Sequence, residues 1–215
     1  MGIADSAVRM ALSRMVAAGD LVRTDSTYTL APRLVERQRR QDEALTRPGG
    51  RWDGRWQVAV VTTTGSDAPT RAHLRSTFGS ARFGPVRDGV WARPNNLRWQ
   101  PPADVAAGMI VMDAEIDATA AGELASSIFD LSTWSRRGFD LLERRDDAGP
   151  LKHQVTVAAA IVRHLTTDPL LPQEIEPAAW PADELRASYA AFRDELIAVR
   201  GSVLTTVSDT AIRAG

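Results

Sequence analysis

The sequence predicts an α+β protein in three parts, and three observations predict it. A short amphipathic pattern followed by a small hairpin opens the chain, strand and helix signals alternate across residues 55–128, and strand signals end at Phe129. Each element follows from local chemistry, taken here in chain order.

In "SAVRMALSRMVAAG", Ser6 is suited to cap a helix. Its apolar residues Val8, Ala11, Leu12, Met15 and Val16 recur at i, i+3, i+4 and i+7, and Gly19 closes it. Two short strands, "LVRT" and "STYTL", follow around Asp25. A helix running directly into a hairpin is the pattern of a recognition helix and its wing, so residues 1–31 read as a partial winged helix. With Val8, Leu12 and Met15 facing inward, a turn of about 100° per residue puts Ser6, Arg9, Met10, Ser13 and Arg14 on the opposite side. Arginine pairs with guanine edges or phosphates, serine donates to phosphate, and Met10 matches a thymine methyl. The same set also suits an ordinary solvated face. Arg23, Ser26 and Thr27 on the hairpin share that ambiguity: phosphate contacts, or an exposed turn.

Pro32 then starts a charged helix, "RLVERQRRQDEALT", read as a linker over residues 32–50 and ending at "RPGG". Across 51–128, "RWQVAVV" is a β-branched strand, "APTRAHLRSTFGSA" a helix carrying Leu74 and Phe78, and "FGPVRDGVWARP" a pair of strands between turns. A short helix near "PADVAAG", a strand "MIVMDAEI" and a helix "TAAGELASSI" complete a ferredoxin-like α+β domain. Residues 129–215 read as a helical C-terminal domain of three helices. The segment "DPLLPQEIEPAAWP" inside it has spaced prolines and apolar residues that predict a packed connection rather than a tether.

Composition narrows the function classes. The 215 residues are 44% hydrophobic and 25% charged, with no apolar run near the roughly 20 residues of a membrane span. Neither a signal peptide nor a cysteine is present, so the reading is cytoplasmic, without disulfides or thiolate metal sites. The net charge is -1, yet residues 1–40 carry an excess of three positive charges. His73, His153 and His164 are scattered, and no HExxH, GxSxG or Gly-rich phosphate loop occurs. No enzyme activity, cofactor or metal is expected. The tryptophans are either a pocket for a flat ligand or large packing anchors.

Taken together, "SAVRMALSRMVAAGDLVR", "RWDGRWQVAVV", "FGPVRDGVWARP" and "DPLLPQEIEPAAWP" stand in the order found in the PaaX-like family of transcriptional repressors, which the chain resembles over nearly its whole length. That resemblance implies an N-terminal winged helix-turn-helix, a central ferredoxin-like domain similar to that of CRISPR spacer-acquisition nucleases, and a helical C-terminal domain. It also implies a homodimer on a palindromic operator, released by an aryl-acyl-CoA thioester such as phenylacetyl-CoA. The nuclease relatives hold a metal through an Asp at the end of their first strand, where this sequence has Thr62, Thr63 and Thr64. An acyl-CoA needs an apolar slot and cations, for which Trp134 and Trp180 with Arg136, Arg137, Lys152 and His153 are the candidates, at the junction of the central and C-terminal domains. Family members place two helices before the segment "SAVRMALSRMV", and here five residues precede it. The alternative expectation is therefore an N-terminally truncated effector-sensing and dimerisation module without DNA binding of its own.

Overall fold

The computed structural model describes residues 5–25, 27–47, 51–63, 65, 67–147 and 149–213, with side chains described between residues 7 and 198. Two compact units are distinguished, Met1–Leu45 and Thr46–Gly215.

The first unit holds α1 (Asp5–Ala17), β1 (Leu21–Thr24), β2 (Thr27–Leu30) and α2 (Pro32–Ala44). Because α1 begins at Asp5, Ser6 lies in its first turn rather than ahead of it. At the other end Gly19, with φ of 72°, lets Asp20 N–H reach back to Met15 O at 2.8 Å. Only glycine adopts that left-handed backbone without cost, and the chain is thereby turned into the hairpin. β1 and β2 pair antiparallel from Leu21 opposite Leu30 to Thr24 opposite Thr27. From α2, Arg33 binds Asp20 Oδ1 at 2.6 Å and the Ala18 carbonyl at 3.2 Å, tying the two helices across the hairpin base. Along α2, Arg39 and then Arg40 hold the Glu36 carboxyl down to about 2.

The second unit is built on a four-stranded antiparallel sheet, β3 (Arg55–Val61), β4 (Gly84–Arg87), β5 (Val90–Pro94) and β6 (Met109–Glu115), in the order β4-β5-β3-β6. That is the ferredoxin-like order, with α3 (Ala68–Ser80) as the first crossover. The second crossover has only α4 (Ala103–Ala106), and α5 (Ala118–Ile128) follows β6. Alternation along the strands sends the two faces to different cores. Ala59 and Trp91 pack with Phe78, Phe83 and Trp99 on the α3 side, while Trp56 and Ala92 pack with Ala121, Ala125, Leu171 and Ile175 on the α5 side. Asp67, Asp117 and Asp130 cap the helices that follow them by accepting backbone N–H groups.

One cation lies inside the first of these cores. Arg93 is 1% exposed and donates to Gln57 Oε1, Ala81 O and Leu97 O, with its guanidinium 4.8 Å from the Phe83 ring centre. Burial brings its pKa down to about 10.

Three helices close the unit: α6 (Leu131–Asp146), α7 (Leu151–Leu165) and α8 (Ala182–Arg213). The connection between α7 and α8 is packed, as its prolines and apolar residues predict: Leu170, Leu171 and Ile175 are all buried. Asp168, 1% exposed, organises it by accepting the Leu170 N–H at 2.9 Å and pairing with Arg186 of α8. Asn96 then donates to the Leu170 carbonyl at 2.8 Å, which fastens this connection to the segment after β5.

Candidate functional site

The first unit presents a row of polar side chains along one helix. Arg9, Met10, Ser13 and Arg14 are all exposed, Met10 to 64%. Ser6 lies in the same helix, although its side chain is outside the described residues, as is Ser26 altogether. Opposite this row, Val8 and Met15 are 42% and 40% exposed and Leu12 is half-buried. The hairpin tip follows directly. Asp25 takes a positive φ of 53°, Arg23 donates through Nε to the Asp25 carbonyl at 3.0 Å, and its guanidinium stands 5.8 Å from the Tyr28 ring centre. Arg23 is thus fixed at the tip, with exposed Thr27 beginning the return strand. A helix lined with two guanidiniums and a hydroxyl, followed by a hairpin that holds a third cation, has the donors needed for a phosphate backbone and base edges.

In the second unit, Trp134 and Trp180 are brought together, and they fill the space between them. Their rings stack at 4.2 Å between centres, and the His164 ring stacks on Trp134 at the same distance. Trp134 Nε1 donates to Thr167 Oγ1 at 3.1 Å, and His164 Nε2 donates to the Trp134 carbonyl at 3.0 Å. Burial pushes the His164 pKa below the ordinary histidine value, and donation to the Trp134 carbonyl puts a proton on Nε2. Lys152 and His153 are exposed near the start of α7, about 16 Å of helix from His164. They do not join the tryptophan stack. Arg137 is exposed on α6, and Arg136 beside it donates to Thr133 Oγ1 at 3.3 Å.

Arg136 also borders the cleft that lies where α5 gives way to α6. This hollow of about 760 Å³ is lined by Phe129, Leu131, Phe139 and Pro177, with Ser135, Arg136, Asp130 and Asp140 at its polar side. Phe129, Phe139 and Ser135 were not singled out in the sequence. Their signal was only the i, i+4 spacing of Ser135 and Phe139 on a helix, which says nothing of Phe129 at the end of α5. A second hollow of about 720 Å³ lies between α3 and the β4-β5 hairpin, and a third of about 630 Å³ beside Trp52, Asn95 and Gln173.

With this geometry in hand, the comparisons decide the family. The family described as the PaaX protein central Cas2-like domain matches residues 49–120, the stretch that holds the whole four-stranded sheet. The chain belongs to the PaaX-like family. PaaX-like proteins form a family of transcription regulators, and the mixed α+β architecture with a helical C-terminal region agrees with the expected fold. Among solved structures, the chain is similar to the uncharacterized protein Rv0674 from Mycobacterium tuberculosis, at 45% identity over 94% of this chain and 85% of that one, with a TM-score of 0.77. No curated protein matches the chain. No helix among the described residues is long and apolar enough to cross a membrane.

Proposed function

We propose that this PaaX-like protein is a DNA-binding repressor of a catabolic operon, acting as a homodimer and released from its operator by an aryl-acyl-CoA such as phenylacetyl-CoA. The observation that carries the reading is the exposed row Arg9, Met10, Ser13 and Arg14 on the helix leading into a hairpin that carries Arg23, in a chain of a regulator family. In this reading α1 enters the major groove, with Arg9 toward base edges and Arg14 toward phosphate, while Arg23 and Thr27 contact the backbone alongside. Ser6 and Ser26 belong to the same set on sequence grounds. Two copies give the two-fold symmetry that a palindromic operator requires.

For the effector, the α5-α6 cleft is the better seat than the tryptophan stack. Phe129, Leu131 and Phe139 supply an apolar slot for the acyl part, and Arg136 a cation at an edge it shares with Asp130 and Asp140, whereas one face of Trp134 is covered by His164 and the other by Trp180. The cleft lies between the end of α5, the start of α6 and Pro177 of the connection before α8, so occupancy there acts on the packing between them. The reading is non-enzymatic. Where the nuclease relatives place a carboxylate, this chain follows the end of β3 at Val61 with Thr62 and Thr63, and arginines flank that end.

The test is a gel-shift titration on the upstream region of the protein's own operon, with and without phenylacetyl-CoA. Sequence-specific retardation that phenylacetyl-CoA abolishes is the expected result, and binding no tighter than to random duplex overturns the repressor reading. A second reading, an effector-sensing module that does not bind DNA by itself, is favoured by the exposure of Val8 and Met15 on the apolar side of α1. It predicts phenylacetyl-CoA binding without any retarded band.

A further inference from the structure

The hollow between α3 and the β4-β5 hairpin is not needed by the regulator reading, and it has the chemistry of an anion site. On α3, Arg71 and Arg75 are one turn apart with Leu74 beside them, so both guanidiniums flank the same apolar side chain. The opposite wall is the hairpin. Its Asp88-Gly89 turn is pinned to the end of β3 by a hydrogen bond from Val61 N–H to the Gly89 carbonyl at 2.8 Å, which holds Arg87 at the rim. Trp91, stacked on Phe78 at 4.9 Å, forms part of the apolar lining with Leu74. Three guanidiniums therefore border a hollow of about 720 Å³ in which Asp88 is the one carboxylate among the described lining residues. Arg75 and Arg87 form no ion pair among the described residues, and the hollow carries three guanidiniums against one carboxylate.

An excess of cations over carboxylates beside an apolar lining concentrates positive potential in a concavity. Guanidinium forks match phosphate oxygens, and an apolar wall beside them suits a ring. We propose that this hollow binds a small phosphate ester carrying an aromatic ring, of the nucleotide class. Its volume falls within the roughly 300–1,000 Å³ of small-molecule sites. A DNA duplex is a poorer fit, because it presents its phosphates on a convex surface while these cations border a recess with an apolar lining. The site lies on the α3 face of the sheet, whereas the α5-α6 cleft adjoins the core on the other face, so the two are separate. The inference stands whether or not the repressor reading does.

Calorimetric titration of the full chain at low ionic strength tests it, with ADP as the probe and coenzyme A and inorganic phosphate as further arms. Micromolar binding of ADP is expected, weakened about tenfold by Arg75→Ala and by Arg87→Ala and unchanged by Arg144→Ala on α6. Coenzyme A competing with ADP marks the carrier of the ring and phosphates as an acyl carrier, and ADP alone marks it as a free nucleotide; either supports the site. The Arg75 and Arg87 side chains are exposed, and circular dichroism of the variants shows whether the fold is kept. Failure of both ADP and coenzyme A to bind below millimolar concentration overturns the proposal. So does binding indifferent to both variants, or loss of random-duplex binding in the variants without any nucleotide binding.

Discussion

The two units each join an aspartate to an arginine, in opposite surroundings. In the first unit Asp20 and Arg33 pair at 2.6 Å with side chains 37% and 59% exposed. In the second, Asp168 and Arg186 pair with side chains 1% and 10% exposed, and Asp168 also holds the Leu170 N–H. Water already solvates the first pair, so forming it changes little. The second pair has given up its hydration, and each member depends on the other. The same two residue types therefore decorate one unit and organise the other. Under the repressor reading this difference suits an exposed, cation-lined helix and hairpin that meet DNA, and a closed framework that carries clefts.

Breaking the buried pair has the largest expected effect. Asp168→Ala leaves the Arg186 guanidinium without its buried carboxylate, although Asp183 still accepts from it at 3.0 Å, and frees the connection held through Leu170. A loss of about 3–5 kcal/mol in unfolding free energy is expected, read by chemical denaturation of the second unit's tryptophan signal. A loss under about 1 kcal/mol would show that Asp168 and Arg186 are no more coupled than a surface pair.

Much of this framework was legible because its causes are local. Gly19 as a helix stop, Pro32 as a start and the alternation of "RWQVAVV" each act within a few residues, and the structure has α1, α2 and β3 where those signals put them. The packed connection after α7 was readable from its prolines. What was not readable depends on distant chain: Trp134 and Trp180 meet across 46 positions, and their stacking is a property of how α6 receives the connection before α8. Arg93 is a sharper case. An arginine in "WARP" reads as surface, yet carbonyls of Ala81 and Leu97 and the Gln57 amide oxygen, from three other segments, make the interior habitable for it. The cation-lined hollow was not read in the sequence: Arg71 and Arg75 are one turn apart on α3, but only the β4-β5 hairpin brings Arg87 to them.

The next effect falls on partner binding rather than folding. Arg9→Ala and Arg14→Ala remove exposed side chains, so unfolding should change by less than about 0.5 kcal/mol. Under the repressor reading, loss of a base contact at Arg9 costs about 1–3 kcal/mol of operator affinity, and loss of a phosphate contact at Arg14 weakens all sequences alike. Unchanged affinity for both variants at matched salt would remove α1 from the reading role.

Acidification sharpens the comparison inside the second unit. Burial lowers the His164 pKa in the folded protein, so the unfolded chain takes up a proton first as pH falls. Stability is fully present above the unfolded histidine value near pH 6.5 and declines as pH drops through it toward the folded value. Thermal melts from pH 7.5 to 5.5 should show this decline in the native chain and less of it in His164→Gln, whose side chain keeps a donor for the Trp134 carbonyl but does not titrate. Equal slopes would place the pH dependence elsewhere.

The smallest expected effect is at the exposed pair. Asp20→Ala removes the carboxylate that Arg33 binds, but the Arg33 guanidinium also donates to the Ala18 carbonyl at 3.2 Å and can take water in place of Asp20. The helix stop does not depend on the side chain, because Asp20 contributes its backbone N–H to Met15 O and its carbonyl to Ala31 N–H. A loss of about 0.2–1 kcal/mol is expected, shrinking further at high salt because both partners are in water. Differential scanning calorimetry at two salt concentrations reads this against Asp168→Ala, whose larger loss should be far less sensitive to salt. A salt-insensitive loss above about 2 kcal/mol at Asp20 would mean that this pair is shielded in solution, and the contrast between the two units would fail at the residue chosen to express it.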